Sequence, residues 1–227
     1  MEFKNMKRIS LFNLLLLFSV MSFAQDVTKF LGIPVDGFKS EMHSKLIAKG
    51  FTYIRKDDCF KGEFNGKNVT LYVGTNNNKV YRIMIVDEIF SDETDIKIRF
   101  NHLCDQFDRN KKYVNFLEKD YSIPEEEDVS YEMMVNKKRY EAAYNQIPDS
   151  SKYNEKIIRE RTSERIEELL TLKDLKENEK VDVGKKFLYI ENLASNVVWF
   201  MIDKKYSMYR ILMFYDNNYN KADGEDL

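Results

Sequence analysis

The segment Cys59-Phe-Lys-Gly-Glu-Phe-Asn-Gly-Lys-Asn-Val-Thr-Leu-Tyr-Val73 decides the fold class of this chain. Apolar and polar residues alternate on both sides of Asn65-Gly66, and a period of two is typical of β-strands. Asn-Gly between two such runs is the strongest short signal for a β-hairpin. The segment therefore predicts antiparallel strands at Cys59–Phe64 and Asn68–Val73.

The residues around this hairpin extend it into a meander flanked by helices. A polar turn from Gly74 to Lys79 leads into a third predicted strand, Val80–Val86. Apolar residues that recur three or four positions apart predict helices on both sides of the three strands, at Lys39–Lys49 and at Asp92–Asn110. Gly50 favours the end of the first helix.

The second half of the chain repeats the hairpin pattern. One predicted hairpin pairs Val129–Val135 with Tyr140–Gln146, and another pairs Val197–Ile202 with Met208–Tyr215. Between the two hairpins we predict a long charged helix at Lys152–Lys176, a polar loop at 176–186 and a short helix at Lys186–Ala194.

These elements predict an α+β fold in which an antiparallel β-meander and hairpins pack against helices. We expect residues 25–227 to form a single domain of this class. The order of elements allows two sub-units within it, α-β-β-β-α over residues 25–116 and β-β-α-β-β over residues 117–227.

The first 24 residues indicate export. Lys4, Lys7 and Arg8 precede an apolar run from Ile9 to Phe23 that ends in Ser22-Phe23-Ala24. A basic start, an apolar middle and small residues at the cleavage site define a secretory signal peptide. We expect cleavage near Ala24–Gln25 and a periplasmic or extracellular location.

The alternative interpretation of this segment is a membrane anchor. A span usually needs ~20 apolar residues, which exceeds this run. No cysteine follows the run, so a lipoprotein anchor is disfavoured, and we expect no stable membrane insertion after cleavage.

Charge and composition argue against several partners and cofactors. The net charge is −2 and both signs are interspersed, whereas nucleic-acid binding needs clustered Lys and Arg. Zinc sites need three or four convergent ligands. His102, Cys104, Asp105 and Asp108 are close in sequence but poor in His and Cys, and the only other His after the signal peptide is His43. We expect no metal and no other cofactor.

A calcium-binding loop is a second hypothesis for a metal site. Asp216, Asn218 and Asn220 match the first side-chain positions of an EF-hand loop. The glycine required at the sixth position is replaced by Lys221, so we interpret this segment as an acidic tail.

The two cysteines after the signal peptide, Cys59 and Cys104, leave two alternatives open. Export makes a disulfide chemically feasible. Strand alternation places Cys59 on the face of Lys61, whereas Cys104 lies beside the apolar stripe of a helix. The alternative hypothesis is that both cysteines are free thiols in different environments.

Two arginines lie within apolar strands. The triplet Tyr-Arg-Ile occurs at 81–83 and again at 209–211, each time in the returning strand of a hairpin. Arg in an apolar strand needs a carboxylate or a solvated face. Arg82 and Arg210 are therefore candidate positions for structural ion pairs.

Aromatic residues of the C-terminal hairpins are the candidate binding residues. Tyr and Trp are favoured where a surface is both apolar and hydrogen-bonding. The candidates are Tyr206, Trp199, Tyr209 and Tyr144. Packing in the core is the alternative explanation, and it applies least to Tyr206 because Tyr206 lies in a predicted turn.

Several segments resemble an uncharacterised family of secreted proteins from gut-dwelling Gram-negative anaerobes. They are Phe30-Leu-Gly-Ile-Pro-Val-Asp-Gly37, Lys61-Gly-Glu-Phe-Asn-Gly66, Thr75-Asn-Asn-Asn-Lys-Val-Tyr-Arg82 and Trp199-Phe-Met-Ile202. The resemblance implies a location and carries no activity. At the level of fold, a helix followed by a β-meander is similar to the β-lactamase-inhibitor-like and outer-membrane-assembly-lipoprotein domains, which bind proteins.

The sequence favours a non-catalytic binding or envelope-associated module. An envelope protein or a glycan is the expected partner. The alternative is a hydrolase that uses a carboxylate pair or Cys104, and the sequence leaves the question of enzymatic activity open. A purely structural role in the cell envelope is the third reading.

Overall fold

The structure is a computed structural model, and it describes residues 26–115, 117–153, 158 and 177–222. Its centre is an antiparallel sheet of eight strands in the order β3-β4-β5-β6-β10-β9-β8-β7, and β1 and β2 form a separate hairpin. The strands are β1 (Lys29–Phe30), β2 (Ile33–Pro34), β3 (Thr52–Ile54), β4 (Cys59–Phe64), β5 (Lys67–Asn76), β6 (Lys79–Asp87), β7 (Tyr113–Val114), β8 (Glu141–Gln146), β9 (Val197–Lys205) and β10 (Met208–Asp216).

Three helices cover one face of this sheet, which we call the packed face. They are α1 (Lys39–Ala48), α2 (Glu93–Arg109) and α3 (Val129–Met134). Alternate residues of the strands meet them there, and fully buried side chains include Met42, Leu71, Phe100 and Phe200. Each large apolar side chain buried in this way contributes about 1.5–3 kcal/mol.

The fourth helix, α4 (Glu177–Ser195), leads directly into β9. Side-chain hydrogen bonds fix its C-terminal end. Asn145 Nδ2 on β8 donates to the Leu193 carbonyl oxygen at 2.8 Å. Tyr219 OH donates to Asn192 Oδ1 at 2.9 Å, so the chain that follows β10 is tied to the same helix end.

The predicted α+β fold with an antiparallel meander is confirmed. The Asn65-Gly66 turn joins β4 to β5, and both residues have positive φ. Helix α1 ends where Gly50 adopts φ +94° and its N–H bonds to the Ile47 carbonyl. β6 of the first half pairs with β10 of the second, so a single sheet spans both predicted sub-units.

The predicted strand at Val129–Val135 is wrong, because this segment forms α3. Its Val, Tyr and Met residues alternate, but only Val129 and Met133 face the core, and four residues is a helical spacing. Asp128 caps the helix by accepting the Tyr131 N–H at 2.7 Å. Glu93 on α2 accepts the Val129 N–H at 2.8 Å. β8 therefore pairs with β9 and β7 instead.

The predicted loop at 176–186 is also wrong, because residues 177–186 are helical and belong to α4. The predicted short helix at Lys186–Ala194 is its C-terminal half. The predicted helix at Lys152–Lys176 lies almost entirely outside the described residues, as does the predicted signal peptide. Among the described helices, none combines the length and the apolar character that crossing a membrane requires.

Candidate binding surface

The second face of the sheet carries a row of large side chains at matching register positions. Tyr72 on β5 is opposite Met84 on β6, Met84 is opposite Phe214 on β10, and Phe214 is opposite Trp199 on β9. A second row beside it contains Thr70, Val86, Leu212 and Met201. We call the surface formed by these two rows the outer face.

Most side chains of the outer face are only partly buried. Tyr72 is 38% exposed, and Met84, Trp199, Met201 and Leu212 are half-buried. Phe214 is only 6% exposed because the Trp199 indole stacks on it with ring centroids 4.0 Å apart. Stacked pairs of this kind are rigid, so the row presents a preformed apolar surface.

One end of the outer face is closed by an ion pair between Arg82 and Asp216. Arg82 Nε donates to Asp216 Oδ1 at 2.6 Å, and its Nη2 donates to Oδ2 at 2.8 Å. Trp199 Nε1 and Lys221 Nζ both donate to Oδ2 at 3.1 Å. Bidentate geometry with additional donors satisfies the buried carboxylate.

The pKa of Asp216 reflects two opposing effects. Burial raises the pKa of this carboxyl group, since it disfavours the charged form. The hydrogen bonds from Arg82 and Trp199, with the positive charges of Arg82 and Lys221, outweigh burial and hold the pKa below its ordinary value. Asp216 is therefore a carboxylate throughout the neutral range.

The Arg82 guanidinium also packs on aromatic rings. Its Cζ lies 4.9 Å from the Phe214 ring centroid and 5.6 Å from that of Trp199. Gly74 on β5 avoids a tight contact next to this residue, because a Cβ there would lie 3.3 Å from Arg82 Cβ and 3.2 Å from Tyr81 Cζ. Arginine, tryptophan and phenylalanine thus form one contiguous cation–π cluster.

A second ion pair closes the opposite end of the outer face. Arg210 Nε on β10 donates to Asp203 Oδ2 on β9 at 2.8 Å, and the Arg210 guanidinium lies 4.6 Å from the Phe90 ring centroid. Both arginines that the sequence singles out therefore form ion pairs. The apolar rows lie between two neutralised charge pairs.

The four candidate aromatic residues divide into two groups. Trp199 lies on the outer face, and Tyr206, which is 88% exposed, forms the β9–β10 turn. Tyr144 and Tyr209 are fully buried on the packed face. The expectation that these two contribute to a binding surface is therefore corrected. Their position follows from alternation, since residues of one strand that differ by an odd number point to opposite faces.

The two cysteines are free and buried, and the sheet separates them. Cys59 is next to Phe60, which faces the core, so Cys59 points to the opposite side of β4. Cys104 belongs to α2, and its side chain packs in the core on the other side of the sheet. Because the two side chains lie on opposite sides of the sheet, this arrangement leaves no path for a disulfide.

The environment of Cys104 disfavours nucleophilic chemistry. Burial raises the pKa of its thiol to about 12, so the reactive thiolate is absent at neutral pH. His102 is exposed on the same helix, two residues away, and points elsewhere.

The carboxyl groups whose pKa shifts are resolved bear on the hydrolase alternative. A glycosidase acid needs a raised pKa. Within the described part of the chain, each carboxyl group with a resolved shift has a lowered pKa; these groups are Asp58, Glu88, Asp120, Glu127 and Asp216.

The metal-binding patterns are not assembled either. Over the described residues, no three His, Cys, Asp or Glu side chains converge in the manner of a metal site. The amide of Asn220 donates to Asp36 Oδ1 at 2.7 Å and Asp216 is bound by Arg82, so the calcium-like pattern is used for internal contacts.

The outer face itself is the candidate surface that the sequence did not predict. The signal was present in β6 and β10, whose runs Val80-Tyr-Arg-Ile-Met-Ile-Val86 and Met208-Tyr-Arg-Ile-Leu-Met-Phe-Tyr215 are apolar on both faces. An antiparallel strand with one solvated face normally alternates with polar residues. A continuous apolar run in a meander therefore indicates that the second face is apolar as well.

The fold and this surface define the class of the protein: an α+β protein with one helix-covered antiparallel sheet and an apolar second face framed by ion pairs. Comparison with protein-family models, with curated proteins and with solved structures found no match to this chain. The resemblance to a family of secreted proteins stays a prediction.

Proposed function

We propose that this protein is a non-catalytic binding module that docks a protein partner on the outer face of its sheet. The observation that carries the proposal is the row of Tyr72, Met84, Phe214 and Trp199 across four strands, in which all but the buried Phe214 are partly exposed. Large apolar patches on a surface mark sites of interaction.

The residue types of the outer face favour a protein partner. The centres of protein interfaces are enriched in Tyr, Trp, Phe, Met and Arg and depleted in Lys and Glu. The two rows and their flanking pairs have this composition, with Met84, Met201, Arg82 and Arg210 beside the aromatic rings. Each arginine is paired with an aspartate, so neither arginine needs a carboxylate from the partner.

A glycan fits this surface less well than a protein does. Sugars bind on exposed faces of aromatic rings. One face of the Trp199 indole is covered by Phe214, and Phe214 is buried beneath Trp199 and Arg82. A protein partner can instead use the apolar edges of these rings together with the flexible Met side chains.

The N-terminal sequence supports an exported location for this interaction. A basic start, an apolar middle and the small residues Ser22 and Ala24 are the pattern of a secretory signal. The partner is accordingly a protein of the cell envelope or of the external medium.

The proposal is tested by affinity capture from envelope extract with matched variants. Tyr72→Glu places a charge in the apolar row, whereas Ile98→Glu places the same charge on an exposed position of α2, on the helix side of the molecule. We expect one protein to be captured by the wild type and by Ile98→Glu, with about ten-fold less bound to Tyr72→Glu.

Two results would contradict the proposal. One is capture that is insensitive to Tyr72→Glu, which would place the contact elsewhere. The other is equal loss of capture in both variants, which would indicate a general effect of added charge.

A further inference from the structure

A cleft of about 990 Å³ lies at the other side of the molecule, between the β1–β2 hairpin, the β4–β5 turn and the end of α2. Its volume falls in the range of small-molecule sites. Phe64, Phe107, Tyr113, Met213 and Tyr215 line its apolar part. None of the residues that line it belongs to the outer face.

Lysines surround this apolar lining. Lys29 comes from β1, and Lys111 and Lys112 follow α2, while Glu63 is the acidic residue of the lining. Lys29 Nζ lies 3.4 Å from Asp26 Oδ1, so its charge is partly neutralised. Lys111 and Lys112 are exposed and supply the main positive charge at the mouth.

The position of two of these lysines at the C-terminal end of α2 has a structural explanation. Cations near the C-terminal end of a helix interact favourably with its dipole. That effect accounts for lysines placed immediately after Arg109 but not for Lys29, which arrives from a different element. Lysines from two separate elements therefore line the same cleft as the aromatic rings.

Hydrogen bonds hold the walls of the cleft in place. The amides of Asn65 and Gln106 donate to each other, at 2.8 and 3.3 Å, and this joins the β4–β5 turn to α2. Gln146 accepts the Lys29 N–H at 2.7 Å and donates to the Lys29 carbonyl at 3.2 Å. A site whose walls are fixed before binding loses little entropy when it is filled.

We infer that this cleft binds a small organic carboxylate with an aromatic body. The aromatic body packs against the half-buried Tyr113, whose ring is held edge-on to the buried Phe107 with centroids 4.7 Å apart. The carboxylate meets the ammonium groups of Lys111 and Lys112 at the mouth. Each half of the ligand thus meets side chains of matching chemistry.

The test uses 4-phenylbutyrate and its uncharged counterpart 4-phenylbutan-1-ol in NMR titrations of the full chain. The structure predicts that amide shifts concentrate at Leu31, Lys112 and Ile147. The carboxylate is expected to bind about ten-fold more tightly than the alcohol, which corresponds to about 1.4 kcal/mol.

Two double variants distinguish the effect of the cleft lysines on binding from the effect of lysines elsewhere on the surface. Lys111→Gln combined with Lys112→Gln is expected to weaken 4-phenylbutyrate binding about ten-fold and to leave the alcohol unchanged. Lys45→Gln combined with Lys49→Gln, on and just after α1, is the matched control and is expected to change neither.

The inference is overturned by any of three results: no shifts at about 10 mM ligand, shifts centred away from the cleft, or equal affinity for the acid and the alcohol. Tyr72→Glu, which tests the outer face, leaves this binding intact, so failure of one proposal is distinguishable from failure of the other.

Discussion

At the scale of single residues, Asp216 connects the largest set of polar contacts on the outer face. It accepts hydrogen bonds from Arg82, Trp199 and Lys221 while remaining buried. Removing one partner of a buried pair leaves the other charge uncompensated, at a cost of about 3–5 kcal/mol. Arg82 keeps 27% of its side chain exposed, so water offsets part of that cost.

Asp216→Asn is expected to lower the free energy of unfolding by about 2 kcal/mol at pH 7. The folded-state pKa is below the ordinary value of 3.8, so the stabilisation is complete above that value and is lost as pH falls through the folded pKa. Urea denaturation from pH 7 to pH 3 should therefore show the two proteins converging in acid. Asp203→Asn, in the half-exposed pair, is the control and should cost under about 1 kcal/mol. Equal costs for both variants would contradict this account.

The cysteines give a second prediction at this scale. Cys59 and Cys104 are buried on opposite sides of the sheet, and burial raises both thiol pKa values. Iodoacetamide at pH 8 is expected to leave the native protein unmodified and to label both thiols after denaturation in urea. Intact mass spectrometry without prior reduction makes the measurement. A thiol that is blocked after denaturation until reductant is added would reveal a disulfide and contradict the structure.

At the scale of elements, the hairpin signal at Asn65-Gly66 and the helical spacing in α2 were sufficient to predict both elements. Segment 129–135 was not predictable in the same way, because its alternation satisfies a strand and its i, i+4 pair satisfies a helix. Glu93 on α2 is distant in sequence and favours the helix, because it accepts the first N–H groups of α3. Tertiary contacts of this kind override local pattern.

Gly62 on β4 shows how closely the elements pack. A Cβ there would lie 2.5 Å from Cδ1 of Phe51, which is buried between α1 and the sheet. We expect Gly62→Ala to cost about 1–3 kcal/mol through overpacking. Phe51→Leu should relieve the clash, so the double variant is expected to lose less stability than the sum of the single variants. A double-mutant cycle by chemical denaturation tests this, and additive costs would show that the two sites do not touch.

At the scale of the whole molecule, the sequence predicted the fold class and the meander, but not the outer face. Pattern alone shows that β6 and β10 are apolar on both sides, whereas the row from Tyr72 to Trp199 depends on strand order and register. Those are set by the pairing of β6 with β10, which are far apart in the chain. The same limit applies to the cleft, whose lysines come from β1 and from the end of α2.

Site-specific photocrosslinking tests whether the outer face contacts a protein. Benzoylphenylalanine is placed at position 72 in the row and, as the control, at position 98 on α2, and each protein is irradiated in envelope extract. We expect one discrete crosslinked product from position 72 that contains a second protein, and none from position 98. No product from position 72, the same product from both positions, or a product containing only this chain would contradict the proposal.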